Sequence, residues 1–307
     1  MNTMKFSGHE TFSCRATWLQ KGLDYIIVGG KIDPSVFTQT DAATKLGVGR
    51  NMVNSIRYWL NAFGLINEGN DGEPLVDSTI GAFIYQGDED DDALDFYLED
   101  PLTLWLLHYK LVTTNFATIY NFFFLHFIPR KSNDSFTEQE FVLALKSFIR
   151  SSGVSLPSVK TLESDFKVLL DMYALKSHKA SEIDDTALNI LQPLEILTRQ
   201  KLNKEKMVFY TINRTSLDEV PIELIGMLIL EEYKKLNVKS RSAELLLEEV
   251  GRPFCYSRDP FNEVLNKLGK EYSEVFTFSR APNTGVNELQ LRSSITISEF
   301  LSMSYLK

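Results

Sequence analysis

The clearest pattern of apolar and polar positions lies in residues 41–60, where it predicts two short helices joined by a tight turn. Gly47 accepts the left-handed backbone that ends many helices, so it marks the turn. Gly49 then starts the second helix. The inward residues are Ala42, Ala43 and Leu46 in the first helix and Met52, Val53, Ile56, Trp59 and Leu60 in the second.

The remaining face of this helix pair is polar and predicts a DNA-binding surface. Its side chains are of the types that hydrogen-bond base edges and phosphates. Residues 68–76 read as a β-hairpin, and a hairpin after the second helix is typical of a winged helix. The alternative is an ordinary helical hairpin with a solvated polar face; we favour the winged helix. The candidate DNA-binding residues are Lys45, Arg50, Asn51, Asn54, Ser55 and Arg57.

A second helix pair in the middle of the chain repeats this order more weakly. Thr137–Glu140 has the spacing of a capping box at the start of one helix, and Ser158 opens the next. Lys160 and Thr161 at the start of that next helix are further candidates for DNA contact. The signal is weaker because the same helix carries acidic residues that repel phosphates.

The predicted fold class is mainly α with small β-hairpins (α+β), with tandem winged-helix or helix-turn-helix units around a helical core. Helices in 221–268 followed by an alternating hairpin at 276–292 predict a third unit. We therefore expect an N-terminal winged-helix DNA-binding domain (1–98), a helical middle domain with the second helix-turn-helix-like unit (99–200) and a C-terminal winged-helix-like domain (201–307).

The most apolar part of the chain, residues 101–128, predicts two buried helices. Polar residues interrupt it, and such residues are expensive at the centre of a bilayer, so we expect no membrane partner. His108 and His126 lie in this part. We interpret them as core histidines with satisfied hydrogen bonds, and a paired metal site is the alternative.

The composition indicates a folded protein whose overall charge does not attract DNA. The 307 residues are 44% apolar and carry a net charge of −9, which weighs against coating DNA but leaves room for a local basic face.

Cys14 and Cys255 are too few for a disulfide framework, and no secretion signal opens the chain, so we expect a cytoplasmic protein. We interpret the acidic run 88–92 as a solvated linker, and a metal site formed by two or three of its carboxylates is the alternative.

The N-terminal segment brings a His, a Glu and an Arg close together in sequence. Helix signals begin near Thr11, and Arg15 shares the helical spacing of an apolar stripe that includes Trp18. A helix start favours an anion, and an unpaired Arg on an apolar face is costly. These residues predict either a phosphate-handling site, with His9, Glu10 and Arg15 as candidate catalytic residues, or a purely structural arrangement.

Several motifs in the first 110 residues carry a family resemblance: Ser7–Phe12 with Arg15, Trp18–Leu19 and Lys21–Gly22, then Tyr97–Asp100 and Leu104–His108. They resemble the signature of the SspB-like family, the nicking and DNA-binding component of bacterial DNA phosphorothioation systems, an uncharacterised-domain family encoded beside PAPS-reductase-like sulfurtransferases. The resemblance implies a cytoplasmic protein that nicks double-stranded DNA for sulfur insertion in antiphage defence, with a cysteine desulfurase, an ATP-dependent sulfurtransferase and an ATPase as partners.

Three functions remain open from the sequence. The first is a DNA nicking endonuclease that depends on Mg²⁺ or Mn²⁺, which the resemblance favours. The second is a non-catalytic winged-helix DNA reader that recruits the modification enzymes, and the third is a transcriptional regulator. Composition favours the last two, because no clustered Asp, Glu and Lys site stands out and the metal ligands stay unknown.

Overall fold

The computed structural model describes residues 4–28, 31–66, 95, 97–174, 189–201, 208–293 and 295–305. The chain forms two compact units, Met1–Asn213 and Arg214–Lys307. Helices dominate and the strands are short and antiparallel, which confirms the predicted α+β class. The domain boundaries expected after residues 98 and 200 stay predictions.

The first unit consists of a series of helices and two small sheets. Its helices are α1 (Ala16–Ile26), α2 (Ala42–Leu46), α3 (Arg50–Ala62), α4 (Pro101–Thr113), α5 (Thr118–Asn121), α6 (Glu138–Ser151) and α7 (Val159–Tyr173). Its strands are β1 (Ile27–Val28), β2 (Lys31–Ile32), β3 (Ser135–Phe136), β4 (Leu197–Lys201) and β5 (Val208–Ile212). Strand β1 pairs with β2, and β5 lies between β3 and β4.

Helices α6 and α7 begin where the sequence predicts, because side chains satisfy their first backbone N–H groups. The Glu140 N–H donates to Thr137 Oγ1 over 3.3 Å, and the Thr137 N–H donates to Glu140 Oε2 over 2.7 Å. At the next helix, the Thr161 N–H donates to Ser158 Oγ over 3.1 Å. The predicted capping box and the predicted start at Ser158 are confirmed.

An aromatic core fills the middle of the first unit. Helix α5 continues into a π-helical segment, Phe122–Phe127, whose rings pack against α6. Phe141 of α6 stacks on Phe166 of α7 with ring centroids 4.6 Å apart. Both side chains are fully buried, so these rings hold α6 and α7 together.

The same core reaches the N-terminal helices. The Trp59 ring of α3 contacts Tyr120 at 6.0 Å between centroids, and Tyr120 contacts Tyr173 of α7 at 6.2 Å. His108 is fully buried and its Nδ1 lies 2.8 Å from the Tyr173 hydroxyl, so the interpretation of His108 as a satisfied core histidine is confirmed. Helix α3 therefore shares one core with the middle helices.

No single helix in the described ranges is long and apolar enough to cross a membrane. One pair, Pro101–Thr113 and Thr118–Arg130, reaches that length and hydropathy only jointly, across a bend of 99°.

The second unit repeats the connectivity of the middle of the first. The helices of this unit are α8 (Ile222–Leu236), α9 (Ala243–Leu246), α10 (Arg258–Glu271) and α11 (Ile297–Tyr305), and its strands are β6 (Ser240–Ser242), β7 (Phe276–Arg280) and β8 (Asn287–Leu291). Strand β8 lies between β6 and β7. The Tyr233 hydroxyl donates to the Leu289 carbonyl over 2.6 Å, which ties α8 to this sheet.

The aromatic core predicts a large loss of stability when one ring is removed. We expect Phe141→Ala to lower the free energy of unfolding by about 3–5 kcal/mol, because it leaves a cavity between α6 and α7. Leu143→Ala on the same helix is the matched control, since Leu143 is 70% exposed, and should change it by less than about 0.5 kcal/mol. Denaturant unfolding measures both; equal losses would contradict this description of the core.

Candidate nucleic-acid interface

Helices α2 and α3 form the predicted pair with its tight turn. Gly47 has φ of +66°, and its N–H donates to the carbonyls of Ala43 and Thr44, which ends α2 as expected. Gly49 is the N-cap of α3. The inward stripe of α3 is confirmed, with Val53, Ile56, Trp59 and Leu60 buried and Met52 half-buried.

The opposite face of α3 is polar and open to solvent. Arg50, Asn51 and Asn54 are exposed and Arg57 is half-buried. Arg50, Asn54 and Arg57, with residues of the preceding 3₁₀ helix, Pro34–Thr38, line a concave surface of about 380 Å³. We call this surface, lined by Thr38, Gln39, Arg50, Asn54 and Arg57, the α3 groove.

Two of the residues predicted beside them behave differently. Ser55 is fully buried, so its placement on the exposed face is wrong. The physical reason is helical spacing, since Ser55 follows Met52 by three residues and precedes Trp59 by four, which turns it toward the core. Lys45 is exposed, and its ammonium group forms an ion pair with Asp41 over 3.0 Å.

The N-terminal segment does not begin as a helix at Thr11. Helix α1 starts at Ala16 with Arg15 as its N-cap, so His9 and Glu10 are not at a helix start. Arg15 is exposed, not inward on the apolar stripe, and its guanidinium lies 5.6 Å from the centre of the Trp18 ring. Glu10 is exposed as well.

His9, in contrast, is only 2% exposed and binds a buried carboxylate of α7. Its Nε2 lies 3.0 Å from Asp165 Oδ1, and Asp165 Oδ2 accepts the Ser7 N–H over 2.9 Å. The Thr11 N–H donates to His9 Nδ1 over 3.1 Å, which places the ring proton on Nε2 and makes it the donor to Asp165. Each ring nitrogen of His9 thus has a partner within the protein.

The backbone around His9 is unusual, because three non-glycine residues, Ser7, Glu10 and Thr11, have φ between +49° and +67°. Such conformations cost free energy and persist only where surrounding contacts enforce them. Gly8 has φ of +95°, and a Cβ atom there would lie 2.9 Å from the Tyr58 ring. The segment from Ser7 to Thr11 therefore fits only in this turn against α3 and α7.

Helix α3 is tied to the same turn. Trp59 Nε1 donates to the Phe12 carbonyl over 3.1 Å, and the Tyr58 ring lies 5.6 Å from the His9 ring. Burial, and then the charge of Asp165, raise the pKa of the Tyr58 phenol above its ordinary range, so Tyr58 stays protonated. The turn thus fixes the rotation of α3 and the direction of its polar face.

Asp165 is the residue that sequence reasoning missed. A signal was present, because Asp165 follows Leu162 by three residues and precedes Leu169 by four, so it lies on the buried face of α7. An acid at such a position requires donors. The donors come from residues about 156 positions away in the chain, which helical periodicity does not reveal.

The second set of candidate DNA contacts lies at the start of α7. Lys160 is exposed, and Thr161 is half-buried with its hydroxyl 2.9 Å from Ser158 Oγ in the cap of the helix. Lys160 lines a groove of about 1010 Å³ together with two further cations, Lys167 and Arg199, and three acids, Glu138, Glu163 and Asp171. The acids weaken any attraction for phosphates there.

The described residues do not fit a metal site of the two-metal type, because no three of their His, Cys, Asp and Glu side chains converge. Asp95 and Asp100, just after the acidic run, accept backbone N–H groups, and Asp100 caps α4. The run 88–92 and the predicted hairpin 68–76 lie outside the described residues.

Comparison with known proteins gives a family and a fold. Residues 6–305 match the family model described as "Protein of unknown function (DUF4007)", and no curated protein matches the chain in sequence. A crystal structure of magnesium ion-bound SspB matches with a TM-score of 0.78 and 22% identity over 99% of this chain and 88% of that one. A second SspB crystal structure matches with a TM-score of 0.73 and 21% identity over 99% and 86%. The resemblance in fold to the SspB-like family is confirmed.

The buried carboxylate predicts a specific loss of stability. Asp165→Ala removes the acceptor of the Ser7 N–H and leaves the buried His9 Nε2–H without a partner, so we expect a loss of about 2–5 kcal/mol in the free energy of unfolding. Asp165→Asn keeps one acceptor oxygen and should lose less. Glu163→Ala, an exposed acid on the same helix, is the control and should stay within about 0.5 kcal/mol of the parent. An Asp165→Ala protein as stable as the control would contradict the arrangement.

Proposed function

The chain belongs to the DUF4007 family, and we propose that it is a DNA-binding component of a DNA phosphorothioation system. The observation that carries the proposal is the exposed polar face of α3, where Arg50, Asn51 and Asn54 project from a helix fixed by a buried stripe. The phosphorothioation setting comes from the resemblance to SspB, which also implies a cysteine desulfurase, an ATP-dependent sulfurtransferase and an ATPase as partners.

The connectivity of the chain supports tandem winged-helix units. In the middle of the chain the order is β3, α6, α7, β4, β5 with β5 in the centre of the sheet, and in the second unit it is β6, α9, α10, β7, β8 with β8 in the centre. One strand, two helices and a closing hairpin are the order expected of a winged helix, and this order supports the proposal. We infer that α2 and α3 belong to a third unit of the same kind.

Charge favours α3 as the helix that enters the DNA groove. Its sequence, from Arg50 to Ala62, contains no Asp or Glu, whereas α7 carries Glu163 and Asp171 and α10 carries Asp259 and Glu263. Acids facing phosphates repel the duplex. With a net charge of −9, the protein would rely on a few local contacts, so its affinity for double-stranded DNA should be modest and salt-sensitive.

Two versions of this function differ in whether the protein cleaves DNA. The resemblance implies nicking, with Mg²⁺ or Mn²⁺ and with His9, Glu10 and Arg15 as candidate catalytic residues. The burial of His9 and its bond to Asp165 favour the other version, a non-catalytic reader that recruits the modification enzymes. A buried imidazole with both nitrogens paired is poorly placed to reach a phosphate.

We expect the double variant Arg50→Ala with Asn54→Ala to bind duplex DNA at least tenfold more weakly, because each lost base or phosphate contact costs about 1–3 kcal/mol. Arg150→Ala with Ser147→Ala is the matched control, since it removes one exposed cation and one exposed polar group from α6. Gel shift measures the affinities and circular dichroism confirms folding. Equal affinity of the two folded double variants would exclude α3 as the reading helix.

Plasmid nicking with Mg²⁺ or Mn²⁺ separates the two versions. We expect His9→Ala to lower the melting temperature, because it removes the donor to Asp165, and expect DNA binding and any nicking to fall in step with stability. Leu143→Ala, at an exposed position of α6 outside every candidate site, is the control and should leave all three measurements close to the parent. Nicking that disappears while melting temperature and gel shift are unchanged would establish His9 as catalytic.

A further inference from the structure

A second concave surface lies beside the α2–α3 turn, on α1. It has a volume of about 730 Å³ and is open to solvent. We call it the basic groove. The residues that matter for its chemistry are Arg15, Thr17, Lys21, Thr44, Gly47 and Gly49.

The basic groove carries two positive charges and no negative one. Arg15 and Lys21 line it, and no Asp or Glu does. Neither cation takes part in the ion pairs found among the described residues, whereas Lys45 nearby is neutralised by Asp41. The Arg15 guanidinium rests over Trp18 instead, 5.6 Å from the ring centre, which holds it at the groove while leaving its N–H groups for another partner.

Gly49 keeps the floor of this groove open. Its φ of −69° is available to any residue, so the backbone does not require glycine there. A Cβ at Gly49 would meet nothing within 4 Å, so no neighbouring atom excludes a side chain either. A helix N-cap usually carries a Ser, Thr, Asp or Asn that bonds the first N–H groups, and α3 has no such side-chain bond. An external acceptor therefore has unobstructed access next to Arg15 and Lys21.

The position of the basic groove indicates which molecule supplies this external hydrogen-bond acceptor. It shares the α2–α3 turn with the exposed face of α3, since Gly49 lines it and Arg50 begins the polar face. A duplex that receives α3 in its major groove runs its sugar-phosphate backbone along the flank of that helix. We propose that the basic groove binds a backbone phosphate of the same duplex, through Arg15 and Lys21, and this rests on the proposed DNA-binding function.

This assignment gives Arg15 a role in positioning DNA. Phosphate contacts set the register of a protein on the duplex without reading its sequence. The groove therefore contributes affinity and salt dependence, and the α3 groove contributes sequence preference. The two surfaces are separable by experiment.

The sharpest test adds one carboxylate to the open floor of the groove. Gly49→Asp and Gly49→Asn both supply a helix cap of nearly equal size, and only the first brings a negative charge. Both proteins should melt at or slightly above the parent temperature. We expect Gly49→Asp to bind duplex DNA roughly tenfold or more weakly than the parent, and Gly49→Asn to stay within about threefold. Equal binding by the two variants would overturn the inference.

Salt dependence supplies a second readout. Arg15→Gln with Lys21→Gln should lower the slope of log affinity against log salt by roughly one to two, at about 0.9 per phosphate contact, and do so equally on different DNA sequences. Arg130→Gln with Arg150→Gln removes two exposed cations elsewhere in the first unit and should leave the slope unchanged. The same slope in both double variants would overturn the inference.

Two further outcomes separate this inference from the function on which it rests. A parent protein that does not bind duplex DNA would overturn both. DNA binding that depends on Arg50 and Asn54 but not on the groove variants would overturn this inference alone. Inorganic phosphate tests the other source of the same chemistry: a shift in melting temperature that Gly49→Asp abolishes, with DNA binding intact, would assign the groove to a free anion and overturn the DNA contact.

Discussion

The buried carboxylate of Asp165 is the constraint on which the first unit depends. An unpaired carboxylate in an apolar core costs several kcal/mol, so it must collect donors. The structure supplies the Ser7 N–H and the His9 Nε2–H, both from the N-terminal turn. To deliver them, that turn adopts backbone conformations that are unfavourable for Ser7, Glu10 and Thr11. The hydrogen bonds to Asp165 require the strained backbone of the turn, and the same hydrogen bonds hold that backbone in place.

This arrangement explains how a polar surface on α3 is held at a defined angle. Trp59 donates to Phe12 on one side of the turn, and Tyr58 packs against Gly8 and His9 on the other. Aromatic contacts from Trp59 to Tyr120 and from Tyr120 to Tyr173 connect α3 to α5 and α7. Both grooves beside the α2–α3 turn therefore border a helix whose orientation these contacts fix.

Local patterns allowed much of the fold to be predicted. The turn at Gly47, the stripe of α3 and the caps of α6 and α7 each depend on residues within a few positions of one another, and each was confirmed. The errors have the opposite origin. Helix α1 starts at Ala16 because the preceding residues bind a distant helix, and Ser55 is buried by the packing of α3. The partner of His9 stands 156 residues away, where periodicity carries no information.

That separation has a consequence for biosynthesis. The ribosome makes α3 early, yet the carboxylate that secures the turn beneath it emerges only with α7, after more than a hundred further residues. Contacts between such distant segments form late, because a long loop must close first. While the more than one hundred residues between α3 and Asp165 are made, the nascent chain therefore carries α3 without the carboxylate that secures the turn beneath it. The polar face of α3 acquires its final orientation only when the core beside it is complete, so the orientation of that face depends on successful folding of the whole first unit.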